Sequence, residues 1–380
     1  LIHEIGMTER QTAGVQLSMA RRITIRDCSI YETTRAGINI SEGTWGGHLI
    51  EGCDVFDTVL ETHDHGSFNS WGRDRFWHVP DATDAEKAEL VKLDAIETTV
   101  IRDSRWRCDH GWDIDLDDGS SNYEIYNNLM LNGGLKLREG FYRRAFNNVT
   151  VNGTLSPHVW YDHNQDEVYR NIWMREYRSA RNRGLWAEAI DRNFFTALPD
   201  LRAFQQHGAD RNSVAGDPRF VDPAAGNYRV QAGSPAFAVG FRNFQRDHYG
   251  VRAPELRAIA RTPDLPTLDL VAVGAEGHVG RMRPRNVFEA LAIGLSDDDF
   301  SAFGVSEAEG GVHLLEVEAD SIFARSGLRE GDVVQQIDGL PTRNHWTLRS
   351  RLQEAVAAGK STVTVSFVRE QGTHQVEMSW

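Results

Sequence analysis

The sequence predicts a mainly β protein: a parallel β-solenoid over roughly its first two thirds, then a small α+β domain. Three observations carry this. Six segments, RITIRDCSI, HLIEGCDVF, TVIRDSRW, YEIYNNLML, RRAFNNVTV and EVYRNIWM, share one pattern. The units they mark carry short alternating strands and, apart from one insertion, no helix of their own. From residue 284 onward the repeat is gone, and strands bounded by glycine alternate with helical stretches.

In each repeat an apolar residue (Ile25, Ile50, Ile101, Ile125, Ala145, Val168) stands three places before a small polar or thiol residue (Cys28, Cys53, Ser104, Asn128, Asn148, Asn171). The spacings between the latter are 25, 51, 24, 20 and 23, a period that suits stacked β-coils. Asn or Ser side chains stacked at a turn hydrogen-bond along the stack, as buried polar groups require. Cys28 and Cys53 fit that ladder as small buried residues. The interval of 51 reads as one coil with an insertion at about 73–95, where DATDAEKAELVKLDA is helical. The repeat fades after Asn171, and GLWAEAIDRNFF reads as a helix. The solenoid domain is thus expected over 1–245, a wrapping segment or linker over 246–283, and the last domain over 284–380. That domain is expected to hold helices at Ser321–Ser326 and Trp346–Ala357 and a strand at Thr362–Val368.

Composition narrows the function. The 380 residues are 40% apolar and 25% charged, with a net charge of −14, which excludes a fibre and argues against a general nucleic-acid binder. No apolar run approaches the ~20 residues that span a bilayer. Three cysteines make no disulfide framework, and no CxxC pair suggests zinc. The first residue is Leu, so a missing signal peptide says nothing about location. Eight of ten tryptophans fall in the first half, at 45, 71, 77, 106, 112, 160, 173 and 186.

Alternate residues of a strand face opposite sides. With Ile114 and Leu116 inward, Asp113, Asp115 and Asp117 face out of GWDIDLDDGSSNY, and Asp118 stands at the turn. In GGLKLREGFY, one coil on, Lys136 and Arg138 face out and Glu139 ends the strand. SPHVWYDHN then presents His158, Trp160 and Asp162 if Val159 and Tyr161 face in. One coil earlier, ETHDHGSFNSWGRDRFW supplies His63, Asp64, His65, Asn69, Trp71, Arg73, Asp74 and Trp77. Four Asp in six positions repel one another, which a merely solvated face avoids.

Paired carboxylates are the equipment of glycoside hydrolysis. Asp117 and Glu139 are one coil apart, and neighbouring strands lie about 4.8 Å apart, near the ~5–5.5 Å of retaining enzymes. Asp117 with Asp162, two coils apart, would lie at roughly 9–10 Å. The assignment is Asp117 as nucleophile and Glu139 as acid/base. Asp115 and Asp118 are rivals for the first role, and aligning DDG with REG sets Asp118 opposite Glu139. His65, Asn69, Trp71, Arg73, Asp74, Asp113, Lys136, Arg138, His158 and Trp160 are expected to bind substrate, with Trp71, Trp77 and Trp160 on the rim and Trp45 in a loop below. Trp106 and Trp173 fall at inward positions. His63, Asp64 and His65 have strand spacing that would suit a metal, but sugar binding is the use expected, with no metal and no cofactor.

HDHGSFNSWGRDRFW, GWDIDLDDGSSNY and GGLKLREGFY resemble bacterial right-handed parallel β-helix glycoside hydrolases, the β-xylosidase family and the related family of α-L-fucosidases and xylanases. GDPRFVDPAAGNYRVQAGSPAFAVG resembles the final coils of that fold. The resemblance covers about residues 1–260. It implies a secreted or periplasmic enzyme acting on plant, algal or other complex polysaccharides or oligosaccharides. Residues 284–380 are similar to a bacterial PDZ domain through G-L-x-x-G-D-x-V-x-x-I-D-G, which implies a peptide or intramolecular partner; SAFGVSEAEGG is the segment expected to form its carboxylate loop. A polysaccharide lyase on the same fold is the first alternative, with Lys136, Arg138 or a His as base and Ca²⁺ on Asp113, Asp115 and Asp117. A non-catalytic solenoid binding glycans or proteins is the second.

Overall fold

The computed structural model describes residues 1–42, 45–62, 65–79, 81–175, 177, 181–182, 190–206, 208–268, 285–288, 290–295 and 299–380. The chain divides into two units, Leu1–Glu276 and Gly277–Trp380.

The first unit is a parallel β-solenoid of about eight turns. Three sheets run along it. The first holds Val15–Leu17, Ile38–Ile40, Gly66–Trp71, Trp112–Asp117, Gly134–Leu137 and Thr154–Pro157. The second runs from Thr24–Arg26 to Glu167–Tyr169, and the third stacks eight two-residue strands from Ser29–Ile30 to Val214–Ala215. Pairing within each is parallel, so residues one coil apart lie side by side.

The corner between the second and third sheets explains the repeat. The residue before each ladder position (Asp27, Gly52, Asp103, Asn127, Asn147, Arg170, Arg192) is left-handed, with φ from +50° at Asp103 to +67° at Gly52. Asn and Asp tolerate that region better than other non-glycine residues, hence the NN dipeptides. The following side chain turns inward and bonds along the stack: Asn128 Nδ2 donates to Asn148 Oδ1 (3.1 Å), Asn148 to Asn171 (2.9 Å) and Asn171 to Asn193 (3.0 Å). The ladder therefore runs past Asn171, where the repeat was expected to fade, to Asn193 and Ser213. Ile190 keeps the apolar place three before Asn193, and Phe194–Phe195, read from sequence as the end of a helix, is a strand. Residues 184–189 of that expected helix lie outside the described residues; a helix does form at Leu198–Gln206.

The insertion folds as expected. Its helix, Asp84–Val91, starts at a capping box in which Thr83 and Glu86 satisfy each other's backbone amides. Phe76, Ala88 and Val91 pack with Phe141. The later segment wraps the solenoid: Arg242 N donates to Asn147, Val251 N to Ser29 Oγ, Arg261 pairs with Asp57, and Asn152 donates to the Thr267 carbonyl. Residues 269–284 lie outside the described residues.

The second unit is an antiparallel sheet in the order 285–287, 290–294, 312–317, 333–337, 362–369, 372–379, with 340–341 beside 333–337. Helices form at Ile322–Arg325, capped by Ser321, and at His345–Ala357, capped by Asn344. Both match the sequence expectation, as does the strand Thr362–Arg369. The expected carboxylate-loop segment SAFGVSEAEGG does not precede an edge strand. It belongs to the connection between strands 290–294 and 312–317 and contains part of the helix Asp299–Phe303.

Candidate active site

The first sheet carries the candidate residues, and its register decides their neighbours. Ile38, Phe68, Ile114, Leu135 and Leu155 form one inward row. The next residue of each strand points the other way, aligning Gln16, Asn39, Asn69, Asp115, Lys136 and Ser156. Two positions further on, Trp71 lies beside Asp117, and the chain reaches Arg138 and His158 in the coils after. Glu139 is thus not the lateral neighbour of Asp117. Arg138 takes that place, and Glu139 falls one step on, level with Asp118.

This face was expected to point outward from the strands. It is buried instead: Asn69, Asp113 and Asp115 are 0% exposed, Lys136 1%, Glu139 2%, and Asp117 and Asp118 8%. Charges at such depth persist only when paired. Lys136 Nζ lies 3.3 Å from Asp115 Oδ2 and 3.5 Å from Asp117 Oδ1. Arg138 Nη1 lies 3.2 Å from both Asp117 Oδ1 and Asp118 Oδ1, and its Nε 2.7 Å from Glu139 Oε2. Arg73, reaching in from the insertion, donates to Asp118 Oδ2 from Nη2 at 2.6 Å and from Nε at 2.9 Å. Its side chain is 49% exposed and marks where the cluster meets solvent.

Two carboxyls in this cluster are driven apart. Burial works against ionisation of Asp117, but Lys136, Arg138 and His158 outweigh it and hold its carboxyl well below the usual range. Burial pushes the Glu139 carboxyl up, against the pull of Arg138 and with the push of Asp118 and Asp117. Two acids with diverging proton affinity are what an acid/base pair needs.

The remaining expected residues divide. Trp71 lies under two guanidinium groups, Arg35 at 5.0 Å and Arg73 at 5.9 Å from its ring centroid. Arg35, buried and within 2.6 Å of His65 Nε2, escaped the sequence reading. Its one signal was an arginine set directly before the inward run AGINI. Asn69 donates to Asn39 Oδ1 at 2.9 Å, and Asn39 to Gln16 at 2.8 Å. Asp74 stands in the insertion, where burial, then Asp94 and Glu42, push its carboxyl up to about 6.

Asp113 is not placed for substrate. It accepts backbone N–H bonds from Cys108 (2.7 Å), Gly134 (2.9 Å) and Asn132 (3.1 Å), which anchors the turn into the next coil. Asp115 and Asp117 meet Lys136, so the three oxygen donors expected for calcium are already engaged. Trp160 packs in the solenoid core rather than on a rim. The strand ends at Pro157 and a new one, Val159–Trp160, pairs with Arg181–Asn182, so alternation does not carry across His158. Tyr161 packs against Phe141 instead, and Asp162 N donates to Asp84 in the inserted helix. Trp77 packs edge-on against Phe76 within the insertion. Trp106 and Trp173 are in the core, as expected. His63, Asp64 and Trp186 lie outside the described residues. Among the described residues, the one group of three with metal-ligand spacing is His3, Glu4 and Glu32, away from these strands and largely exposed.

No family model matches the chain, and no curated protein does. Among solved structures, the HtrA3 PDZ domain bound to a phage-derived ligand (FGRWV) is similar at 22% identity, covering 27% of this chain and 86% of that one, with a TM-score of 0.20.

Proposed function

We propose that the solenoid is a glycoside hydrolase acting on complex polysaccharides or oligosaccharides, with Asp117 as nucleophile and Glu139 as acid/base. The observation that carries this reading is that Arg138 joins these two carboxyls in one buried cluster, where their surroundings push their proton affinities in opposite directions. In the proposed reaction the Asp117 carboxylate attacks the anomeric carbon while Glu139 gives its proton to the departing glycosidic oxygen. Glu139, now ionised, takes a proton from the water that displaces Asp117, and the sugar leaves with its original configuration. Arg138 contacts both carboxyls and sets their separation. Such a substrate places the protein in the periplasm or outside the cell. The lyase alternative is weaker, because two of its candidate bases, Lys136 and Arg138, are committed to carboxylates.

The test is product analysis on aryl glycosides and plant and algal polysaccharides, with the anomer followed by NMR, for the wild type and Asp117→Asn. Reducing-sugar release with retained configuration, lowered at least ~10²-fold in the variant, is expected. Undiminished activity in the variant rejects the assignment. Initial release of the inverted anomer rejects the retaining route, and a product absorbing near 235 nm would transfer the reading to a lyase.

The C-terminal unit is read as a PDZ-like peptide module. Its support is the G-L-x-x-G-D-x-V-x-x-I-D-G run at residues 327–339 and a sheet strand, 290–294, with the helix His345–Ala357 packed beside it. In such modules an extended peptide joins the sheet at that strand.

A further inference from the structure

Resting on that reading of the C-terminal unit, we propose that its peptide-accepting edge is closed by the chain's own strand Arg285–Val287, which occupies the place of a bound peptide. Strand 290–294 has two sides. One pairs with 312–317; the other, where a peptide would add, already pairs antiparallel with 285–287, in the register Arg285 with Ala292, Asn286 with Leu291 and Val287 with Ala290. The helix His345–Ala357 packs against strand 285–287 as well as 290–294, as it would against a ligand lying in the groove.

The connection makes the occupation mutually exclusive with capture of a free C-terminus. An antiparallel peptide brings its carboxylate to the start of the accepting strand. Here that place is taken by the chain's own link at Phe288, which directly follows Val287, the partner of Ala290. Phe288 in that link is left-handed, with φ +47°. Two-residue hairpin loops of this kind favour Asn or Gly, and a phenylalanine there costs about 1–2 kcal/mol. The closure is therefore held by pairing and opposed by its own turn, as a displaceable plug would be.

Two variants of the full chain move the closure in opposite directions. Arg285→Pro/Val287→Pro removes backbone donors from the plugging strand, which proline cannot supply. Phe288→Gly relieves the turn and should tighten the closure. Hydrogen exchange reads the amides of 290–294 that do not bond strand 312–317, and fluorescence anisotropy reads binding of fluorescein-labelled FGRWV with a free C-terminus. In the wild type those amides should exchange at least ~10-fold more slowly than in the double-proline chain, and most slowly in Phe288→Gly. The double-proline chain should bind the probe at least ~10-fold more tightly than the wild type, since affinity scales with the open fraction. Wild-type amides that exchange as fast as the double-proline chain's would overturn the closure, as would equal probe affinity in all three proteins. Protected amides with no probe binding by any of them would retract the PDZ-like reading and leave the closure standing.

Discussion

At the corner between the second and third sheets, Asn128, Asn148, Asn171 and Asn193 lie one above another, each donating to the next. On the first sheet, Asn69, Asp115, Lys136 and Ser156 lie in the same stacked relation, with Trp71 and Asp117 beside each other two positions on. Both rows are buried, yet they satisfy their polar atoms differently. The amide ladder repeats one residue that is donor and acceptor at once, and each member also bonds the backbone, as Asn148 does with the carbonyls of Ile125 and Phe146. Beyond Asn39 and Asn69, which repeat an amide, the charged row has no repeating residue: a carboxylate in one coil is met by an ammonium or guanidinium in the next. A repeat along a solenoid can be built from any one self-complementary side chain. A row whose charges balance only between particular coils is specified residue by residue, which structure alone does not ask for.

The comparison can be broken at several points, beginning where the effect should be largest. Glu139→Gln should lower hydrolysis by roughly 10²–10⁴-fold, with little change in urea midpoint, whereas Asn148→Ala should change stability and leave kcat of the folded fraction near wild type. Equal loss of activity in both would erase the distinction. Next, Lys136→Met removes the ammonium beside Asp115 and should cost about 3–5 kcal/mol, while Asp115→Leu/Lys136→Met should recover much of it, because an apolar pair replaces a buried ion pair at little cost. Urea denaturation of the two proteins decides this.

Asn148→Ala should cost about 2–4 kcal/mol, since Asn128 N, Asn128 Nδ2 and two backbone carbonyls lose partners. Here the double replacement Asn128→Leu/Asn148→Leu should give no recovery, because backbone groups stay unsatisfied. Recovery in that double variant would show the two rows to be alike. The smallest effect lies where the ladder ends on a charge. Asn193 Nδ2 and Ser213 Oγ donate to Asp210 Oδ1, and burial pushes the Asp210 carboxyl up to about 6 against those bonds. Between about pH 4 and that value the folded chain holds a proton that the unfolded chain has released, so stability falls as pH rises through the window. Asp210→Asn should remove roughly 2–3 kcal/mol of that fall, read as urea midpoints at the two ends of the range.

The ladder was legible in the sequence because its cause is local: a left-handed residue followed by an inward amide, once per coil. It was lost after Asn171 because GLWAEAIDRNFF, which holds Ile190 and Asn193, reads as a helix, although both residues keep the pattern. Of the candidate site, the meeting of Asp117, Arg138 and Glu139 in one cluster was legible, and so was the level alignment of Asp118 with Glu139. Trp160 was misplaced because alternation was carried through His158, where the strand ends. Arg35 was passed over because its one local signal, the inward run AGINI that follows it, does not tell a buried arginine from a surface one.

Sequence by itself determined the coil period, the inward row from Ile38 to Leu155, the inserted capped helix and which side of the first sheet carries the charges. Tertiary structure alone decided that this side is buried, that Arg138 and not Glu139 is the lateral neighbour of Asp117, that Arg73 reaches Asp118 from the insertion, and that strand 285–287 lies on the edge of the second sheet. The physical reason is the same in each case. A period of two states to which side of a strand a residue points. What covers that side, and which charge from another coil meets it there, depends on segments far away in the chain.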